Sequence, residues 1–323
     1  FMAGLEVKLS SFKKVGKEVG WIATLNGLIP FGVGIVIGRV FDYSWTSSLL
    51  IGAIFISSSI AVVIPSLISS KVFNTKVGKS IIGATIIEDI ASLVLLSIVL
   101  QQASPISSIP LPLFYLLLLS ALIILRWAIK KVEKLFIHYA EKEDRFQQEF
   151  RLIFTILIGT VIVFEVLGLH GVIAGFFAGL ILSETITSDL LIQKLRTISY
   201  GLFIPIFFIV VGGNTNLGVL LSKNNALLFT GVLILGTLIT KFVSGWAGGR
   251  MGGLRQGESL LVGAASTPQL STSLAVASAG LALGFLDETL HVAVVSLTIV
   301  TTLLAPILIR GISARIDVQT KKA

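Results

Sequence analysis

Glu88 and Asp89 stand side by side in an otherwise apolar run, Ile81-Ile82-Gly83-Ala84-Thr85-Ile86-Ile87-Glu88-Asp89-Ile90-Ala91-Ser92-Leu93-Val94-Leu95. Two carboxylates at the centre of a stretch long enough to cross a bilayer are costly unless something uses them. A cation or a proton is the natural user. A desolvated carboxylate beside a like charge can hold either one at physiological pH, and competition between them is the essence of exchange. Neighbours on a helix point ~100° apart, so Glu88 and Asp89 need not serve the same partner.

Two other ionisable residues, Glu165 and Lys241, fall within apolar segments. Glu165 lies a few residues before Gly168-Leu169-His170, near a segment end where water is in reach. Lys241 either snorkels towards the cytoplasm or needs a carboxylate, for which Glu88 and Asp89 are the choices at comparable depth. One carboxylate then faces a cation path and the other faces Lys241. The bland alternative is a structural Glu–Lys bridge with a spare Asp. A hard monovalent cation wants oxygen ligands, and hydroxyls of Ser58, Ser59 or Thr267 could supply them. The chain has no cysteine, and His138, His170 and His291 show no ligand spacing, so no thiol chemistry, resident metal or other cofactor is expected.

The elements that position these groups follow from composition. The chain is 54% hydrophobic and 13% charged, which marks a polytopic membrane protein. Apolar runs give ten crossings, near 18–40, 45–70, 78–100, 110–129, 150–168, 171–187, 197–213, 225–247, 257–280 and 288–310. Of 25 cationic residues, 22 fall in loops on one side, against Arg39 and Lys223 on the other and Lys241 within a crossing. By the positive-inside rule the rich side, with the C-terminus, is cytoplasmic in a cell-membrane protein. The +8 net charge therefore reflects topology and not nucleic-acid binding. The chain opens on Phe1-Met2-Ala3-Gly4-Leu5, the tail of an apolar segment already under way, so an earlier N-terminal part is expected.

Crossings 18–40, 45–70 and 78–100 start from the cytoplasm, whereas 225–247, 257–280 and 288–310 start from outside. The middle member of each trio is interrupted, by Ser57-Ser58-Ser59 running on to Pro65 and by Ser266-Thr267-Pro268-Gln269. Polar, Pro-bearing breaks at corresponding places in oppositely oriented trios point to an inverted-repeat transporter with discontinuous helices at the midplane.

With these motifs together, the chain resembles the monovalent cation:proton antiporter-2 family of the sodium/proton exchanger group. Phe1-Met2-Ala3-Gly4-Leu5-Glu6, Ser58-Ser59-Ile60-Ala61-Val62-Val63-Ile64-Pro65, Asn74 to Lys79 with Gly83 to Asp89, and Thr267-Pro268-Gln269-Leu270-Ser271 carry the resemblance along the whole chain. It implies an all-α polytopic membrane protein with two crossed discontinuous helices and a six-helix core moving elevator-like against a panel that forms a homodimer. Asp89 is implied to bind the cation, Glu88 to be the other member of the dyad, at its first position, and Lys241 to pair with the dyad and exchange a proton. Ser58, Ser59, Thr267, Pro268 and Gln269 are implied at the crossing of the broken helices. The first dyad position departs from the pattern: electrogenic sodium exchangers of the family typically carry Asp there, electroneutral relatives Asn and potassium-efflux relatives Gln.

The expected layout is an earlier panel helix end and loop over 1–17, a first core triplet over 18–101, and a linking helix and loop over 102–149. Panel helices over 150–213, a second core triplet over 214–311 and a cytoplasmic tail over 312–323 complete it. Gly171, Gly175 and Gly179 give the panel a small-residue face for close helix packing. The reading is a secondary transporter rather than an enzyme, exchanging Na⁺, or K⁺ or Li⁺, for H⁺ in a lipid bilayer. A K⁺/H⁺ antiporter or potassium-efflux protein of the same family is the alternative. About 13 residues follow the last crossing, with no strand-then-GxGxxG unit, so the glutathione-gated potassium efflux type, which adds a soluble nucleotide-binding domain there, is not expected. No GxxxxGK[ST] element is present for an ATP-driven pump.

Overall fold

Apolar runs must satisfy their backbone internally to cross a bilayer, and every regular element among the described residues is helical. The computed structural model describes residues 1–6, 16–103, 145–166, 171–183, 189–222 and 225–320, with residues 120, 124 and 127 besides. Most of the expected crossing 110–129 and of its following loop lies outside the described residues, as do His138, His170 and Lys223. In chain order the helices are α1 (Met2–Glu6), α2 (Lys17–Val40), α3 (Trp45–Ile56), α4 (Ile60–Ser69) and α5 (Lys76–Ala103). There follow α6 (Arg145–Val166), α7 (Gly171–Leu182), α8 (Asp189–Ile198), a π-helical turn over Ser199–Phe203, and α9 (Ile204–Gly213). The chain continues through α10 (Val219–Ser222), α11 (Ala226–Met251), α12 (Gln256–Ser266), α13 (Ser271–Ala282) and α14 (Glu288–Thr320).

Among the described residues, six helical stretches are long and apolar enough to cross a membrane: Lys17–Val40, Trp45–Ser69, Lys76–Val99, Leu190–Gly213, Ala226–Met251 and Glu288–Arg315. They match six of the ten crossings read from sequence. The apolar stretch of α6, Arg151–Val163, is shorter, and neither α7 nor the α12–α13 element is among the six.

The chain divides into two compact units. The larger, Lys14–Val99 with Val211–Ala323, contains α2, α3–α4 and α5 up to Val99, then α10 to α14. The two trios repeat their local chemistry. Helices α2, α4, α11 and α13 all end in a Schellman cap, with a left-handed residue at Asp42, Lys71, Gly253 and Gly284 respectively. Each cap closes with the same long bond: Tyr43 N to Gly38 O at 2.9 Å, Val72 N to Leu67 O at 3.0 Å, Leu254 N to Gly249 O at 2.9 Å and Phe285 N to Gly280 O at 2.9 Å. The seams repeat as well. A Cβ on Gly34 would sit 2.8 Å from Gly52 Cα, and one on Gly245 would sit 3.1 Å from Gly263 Cα. Thus α2 meets α3, and α11 meets α12, backbone against backbone.

In both middle elements the interruption is polar, but proline enters only one. In the first, extended Ser57 and Ser59 separate α3 from α4. Their hydroxyls offer the backbone other partners, while Pro65 lies inside α4 and is not part of the break. In the second, Thr267 to Leu270 separate α12 from α13, and Pro268 sits within the gap. At the opposite end of the trios, the Tyr43 hydroxyl donates to Asp287 Oδ1 at 3.2 Å and Ser47 Oγ to Phe285 O at 2.7 Å. Burial and the neighbouring Asp287 carboxylate push the Tyr43 phenol above its ordinary range, so it remains a donor.

The close seams make a stability prediction. A Cβ on Gly263 would lie 2.5 Å from the Phe242 carbonyl oxygen, and backbone cannot yield as a flexible side chain can. Gly263→Ala is expected to lose ~1–3 kcal/mol, read as a lower midpoint of thermal unfolding in detergent. Gly27→Ala, where nothing lies within 4 Å, should leave it unchanged. Equal midpoints for the two would contradict the seam.

In the smaller unit, Phe1–Lys13 with Leu100–Val210, α7 packs on α1 and α6. Of the expected small-residue face, Gly179 approaches α1 closely and Gly175 lies in ordinary contact with Phe1, just before it. A Cβ on Gly179 would collide with the Phe1 carbonyl, and one on Gly4 with the Phe176 carbonyl.

Candidate functional site

The two gaps lie against each other within the larger unit. Ser59 N donates to Pro268 O at 2.7 Å, Ser57 Oγ lies 2.8 Å from Ser273 Oγ, and Ser58 Oγ lies 3.0 Å from Ser266 O. Each break frees backbone groups that a continuous helix would satisfy itself, and the partner break takes up several of them. Ser58, Ser59, Thr267, Pro268 and Gln269 are all buried here. Helix α5 carries Glu88 and Asp89 to this place, where they are 2% and 5% exposed.

Lys241, on α11, is fully buried, so it does not snorkel. Its ammonium donates to Glu88 Oε2 at 2.9 Å, to Ile56 O at 2.7 Å and to Asn26 O at 3.4 Å. An ammonium has three protons, and these three acceptors match them. Ile56 ends α3, so the carbonyl it offers is one that the break has released, at the negative end of a helix dipole. The choice left open by sequence is thereby decided for Glu88. The charge of Asp89 also acts on Lys241.

Glu88 is held on both oxygens. Oε1 accepts from Asn26 Nδ2 at 2.8 Å. Oε2 accepts from Ser58 Oγ at 2.6 Å as well as from Lys241. Charge-assisted bonds of this kind are the strong ones, and a buried ion pair needs them because desolvation otherwise outweighs attraction. Around the gaps, the Thr267 hydroxyl donates to Ala264 O at 2.8 Å, which leaves its oxygen lone pairs unused by that bond. Gln269 Oε1 accepts from Ser273 Oγ at 2.9 Å. Among the described residues, Ser59 Oγ and Gln269 Nε2 are buried with no hydrogen-bond partner. Such groups are rare in folded proteins and ask for an explanation.

Asn26 and Ser244 belong to this site and were not picked out from sequence. Asn26 is the sole amide side chain of α2, and Ser244 lies one turn beyond Lys241 on α11, with Ser244 Oγ donating to Asn26 Oδ1 at 2.8 Å. A lone amide in an apolar helix is the signal that could have found the first. Glu165 falls on α6, in the smaller unit. Among the described residues, no group of three or more His, Asp or Glu is arranged to hold a metal ion.

The comparisons agree with this architecture. Residues 1–314 match the family described as sodium/hydrogen exchanger, transmembrane. The chain is 32% identical over 316 residues to a probable Na⁺/H⁺ antiporter of Methanocaldococcus jannaschii, covering 97% of this chain and 80% of that protein. It is 27% identical to a Na⁺/H⁺ antiporter of Enterococcus hirae, covering 98% and 82%. The solved structure of a sodium proton antiporter from Methanocaldococcus jannaschii at pH 8 superposes with a TM-score of 0.68 at 18% identity, over 97% of this chain and 81% of that one. The fold is thus the all-α, multi-span membrane fold with discontinuous helices of that structure.

Proposed function

This chain belongs to the sodium/hydrogen exchanger family, and on that premise we propose that it exchanges Na⁺ for protons with Asp89 as the cation-binding carboxylate. At the level of the family it is a secondary transporter, a monovalent cation/proton antiporter and not an enzyme. The observation that carries the finer reading is the division of labour within the dyad. Glu88 is bound to Lys241 on one side of α5, while Asp89, buried at 5% exposure and ~100° round the helix, presents its carboxylate in a different direction, which supports it as the cation-binding position. Ser59 Oγ, buried at the crossing with no hydrogen-bond partner among the described residues, is an oxygen ligand of the right kind.

In this mechanism a cation and a proton compete for Asp89. Lys241, released from Glu88 as the cation arrives, gives up a second proton and takes it back on the other side. More protons than cations then move per cycle, so exchange is electrogenic, and each elementary charge is worth ~2.3 kcal/mol per 100 mV. The two trios, within Lys14–Val99 and Val211–Ala323, form the six-helix core that carries the ion elevator-like. The unit with α6 to α8 forms the panel and the homodimer contact, and the C-terminus is cytoplasmic.

The test is proton flux in proteoliposomes, with Na⁺, Li⁺ and K⁺ compared and the membrane potential clamped or free. The expected result is the largest flux with Na⁺, altered by clamping. A response to K⁺ above all would support the potassium alternative, and no response to any cation would overturn the reading.

A further inference from the structure

Asn26 has neither of the roles just given, yet its side-chain amide NH₂ and its backbone carbonyl are directed at residues that do, and its amide oxygen at Ser244. Its Nδ2 donates to Glu88 Oε1 at 2.8 Å, its Oδ1 accepts from Ser244 Oγ at 2.8 Å, and its carbonyl accepts from Lys241 at 3.4 Å. It is fully buried. An ionised carboxylate only accepts, so the edge of the amide that faces Glu88 must be the NH₂ edge. The oxygen edge then faces Ser244, whose hydroxyl donates to it. A turned-over amide would set two acceptors against each other at Glu88. Ser244 on α11 and Glu88 on α5 therefore fix one orientation of the Asn26 side chain on α2.

Resting on the reading of Asp89 and Glu88 above, we propose that Asn26, oriented by Ser244, is a positioning residue that turns Glu88 towards Lys241 and withholds its carboxylate from the transported cation. Lys241 and Ser58 hold only Oε2. With a single oxygen tethered, the carboxylate is free to rotate about that anchor, and the long glutamate side chain has the reach to bring its other oxygen beside Asp89. Asn26 closes that freedom by holding Oε1. The charged groups that face Glu88 are Lys241 from α11 and Asp89 beside it on α5. Among the described residues, α2 and the break between α3 and α4 supply the uncharged Asn26 and Ser58 to it. A longer acidic side chain at the first dyad position is thus compatible with a single-carboxylate cation site because an amide from another helix restrains it.

Freed from Asn26, Glu88 adds a second carboxylate to the cation site. The cation is then held more tightly and released more slowly, so KM and turnover fall together. In proteoliposomes, Asn26→Ala is expected to lower the KM for Na⁺ by ~5-fold or more, with a drop in turnover. Ser244→Ala, which removes only the orienting hydroxyl and covers the case in which Asn26→Ala does not fold, should move both in the same direction by less. In a Glu88→Gln background, Asn26→Ala should change KM by less than ~2-fold, because a residue acting through Glu88 has nothing left to position. A merely structural role would lower the yield of folded protein or the turnover with KM unchanged, and that outcome overturns the inference. The same holds if the KM shift persists undiminished in the Glu88→Gln background. Absence of cation-coupled flux in the unsubstituted protein would instead overturn the site reading on which the inference rests.

Discussion

Asp89→Asn eliminates cation-coupled proton movement, with flux in proteoliposomes falling by ~100-fold or more, the scale of losing a positioned proton-transfer group. Asparagine keeps the size of the side chain, but it carries no charge for the cation and no exchangeable proton at neutral pH. The Glu88–Lys241 bridge does not run through Asp89, so the substituted protein should keep its fold. Elution as a single species with an unchanged unfolding midpoint would establish that. The substitution therefore separates the ion ligand from the scaffold around it. Retained Na⁺-dependent proton flux in Asp89→Asn would remove Asp89 from the role of cation-binding carboxylate.

Lys241→Met has the second large effect, and it falls on stability as well as on transport. Methionine fills the space of the lysine stem but leaves Glu88 buried at 2% exposure with its counter-charge gone, and it leaves the Ile56 carbonyl without the donor at 2.7 Å. Removing one partner of a buried, hydrogen-bonded ion pair costs ~3–5 kcal/mol, so the unfolding midpoint in detergent should drop well below that of the unsubstituted protein. Adding Glu88→Gln removes the stranded charge and should restore part of the loss, because the two positions are coupled. In proteoliposomes the variant should also lose the response of exchange to a valinomycin-set potential, since the second proton of the cycle resides on Lys241. An unchanged midpoint would contradict the structural importance of the bridge, and unchanged voltage dependence would contradict its part in charge movement.

Both predictions concern residues whose types and depth are legible in sequence, because a charge in a greasy segment stands out whatever the fold. Helix edges were legible for the same reason: the trio segments read at 18–40 and 225–247 are α2 (Lys17–Val40) and α11 (Ala226–Met251) to within a few residues. Which carboxylate Lys241 meets was not legible. Adjacent positions on α5 differ by a rotation that only the placement of α11 and the end of α3 resolves. The break in the first middle element was legible from Ser57-Ser58-Ser59, but Pro65 was drawn into it because proline marks helix ends on average. In a membrane helix, neighbouring helices and hydroxyl groups re-satisfy the freed backbone, and Pro65 lies within α4.

The caps show the same limit from another side. Gly253 and Gly284 advertise left-handed turns, whereas Asp42 and Lys71 adopt the equivalent conformation with φ of 60° and 57° and carry no glycine to signal it. The repeat is therefore clearer in backbone geometry than in residue identity. Asn26 was missed because its importance is wholly tertiary. Its partners come from α5 and α11, far away in sequence, and its being the lone amide of an apolar helix marks the position without naming those partners.

The central claim is that a cation and protons compete for one buried site centred on Asp89. The most direct measurement is calorimetric titration of the purified protein with Na⁺ in buffers of different ionisation enthalpy, which counts the protons released as the cation binds. The account predicts proton release on Na⁺ binding, weaker apparent affinity as pH falls, and loss of both in Asp89→Asn. Na⁺ binding without proton release, at an affinity indifferent to pH, would contradict it.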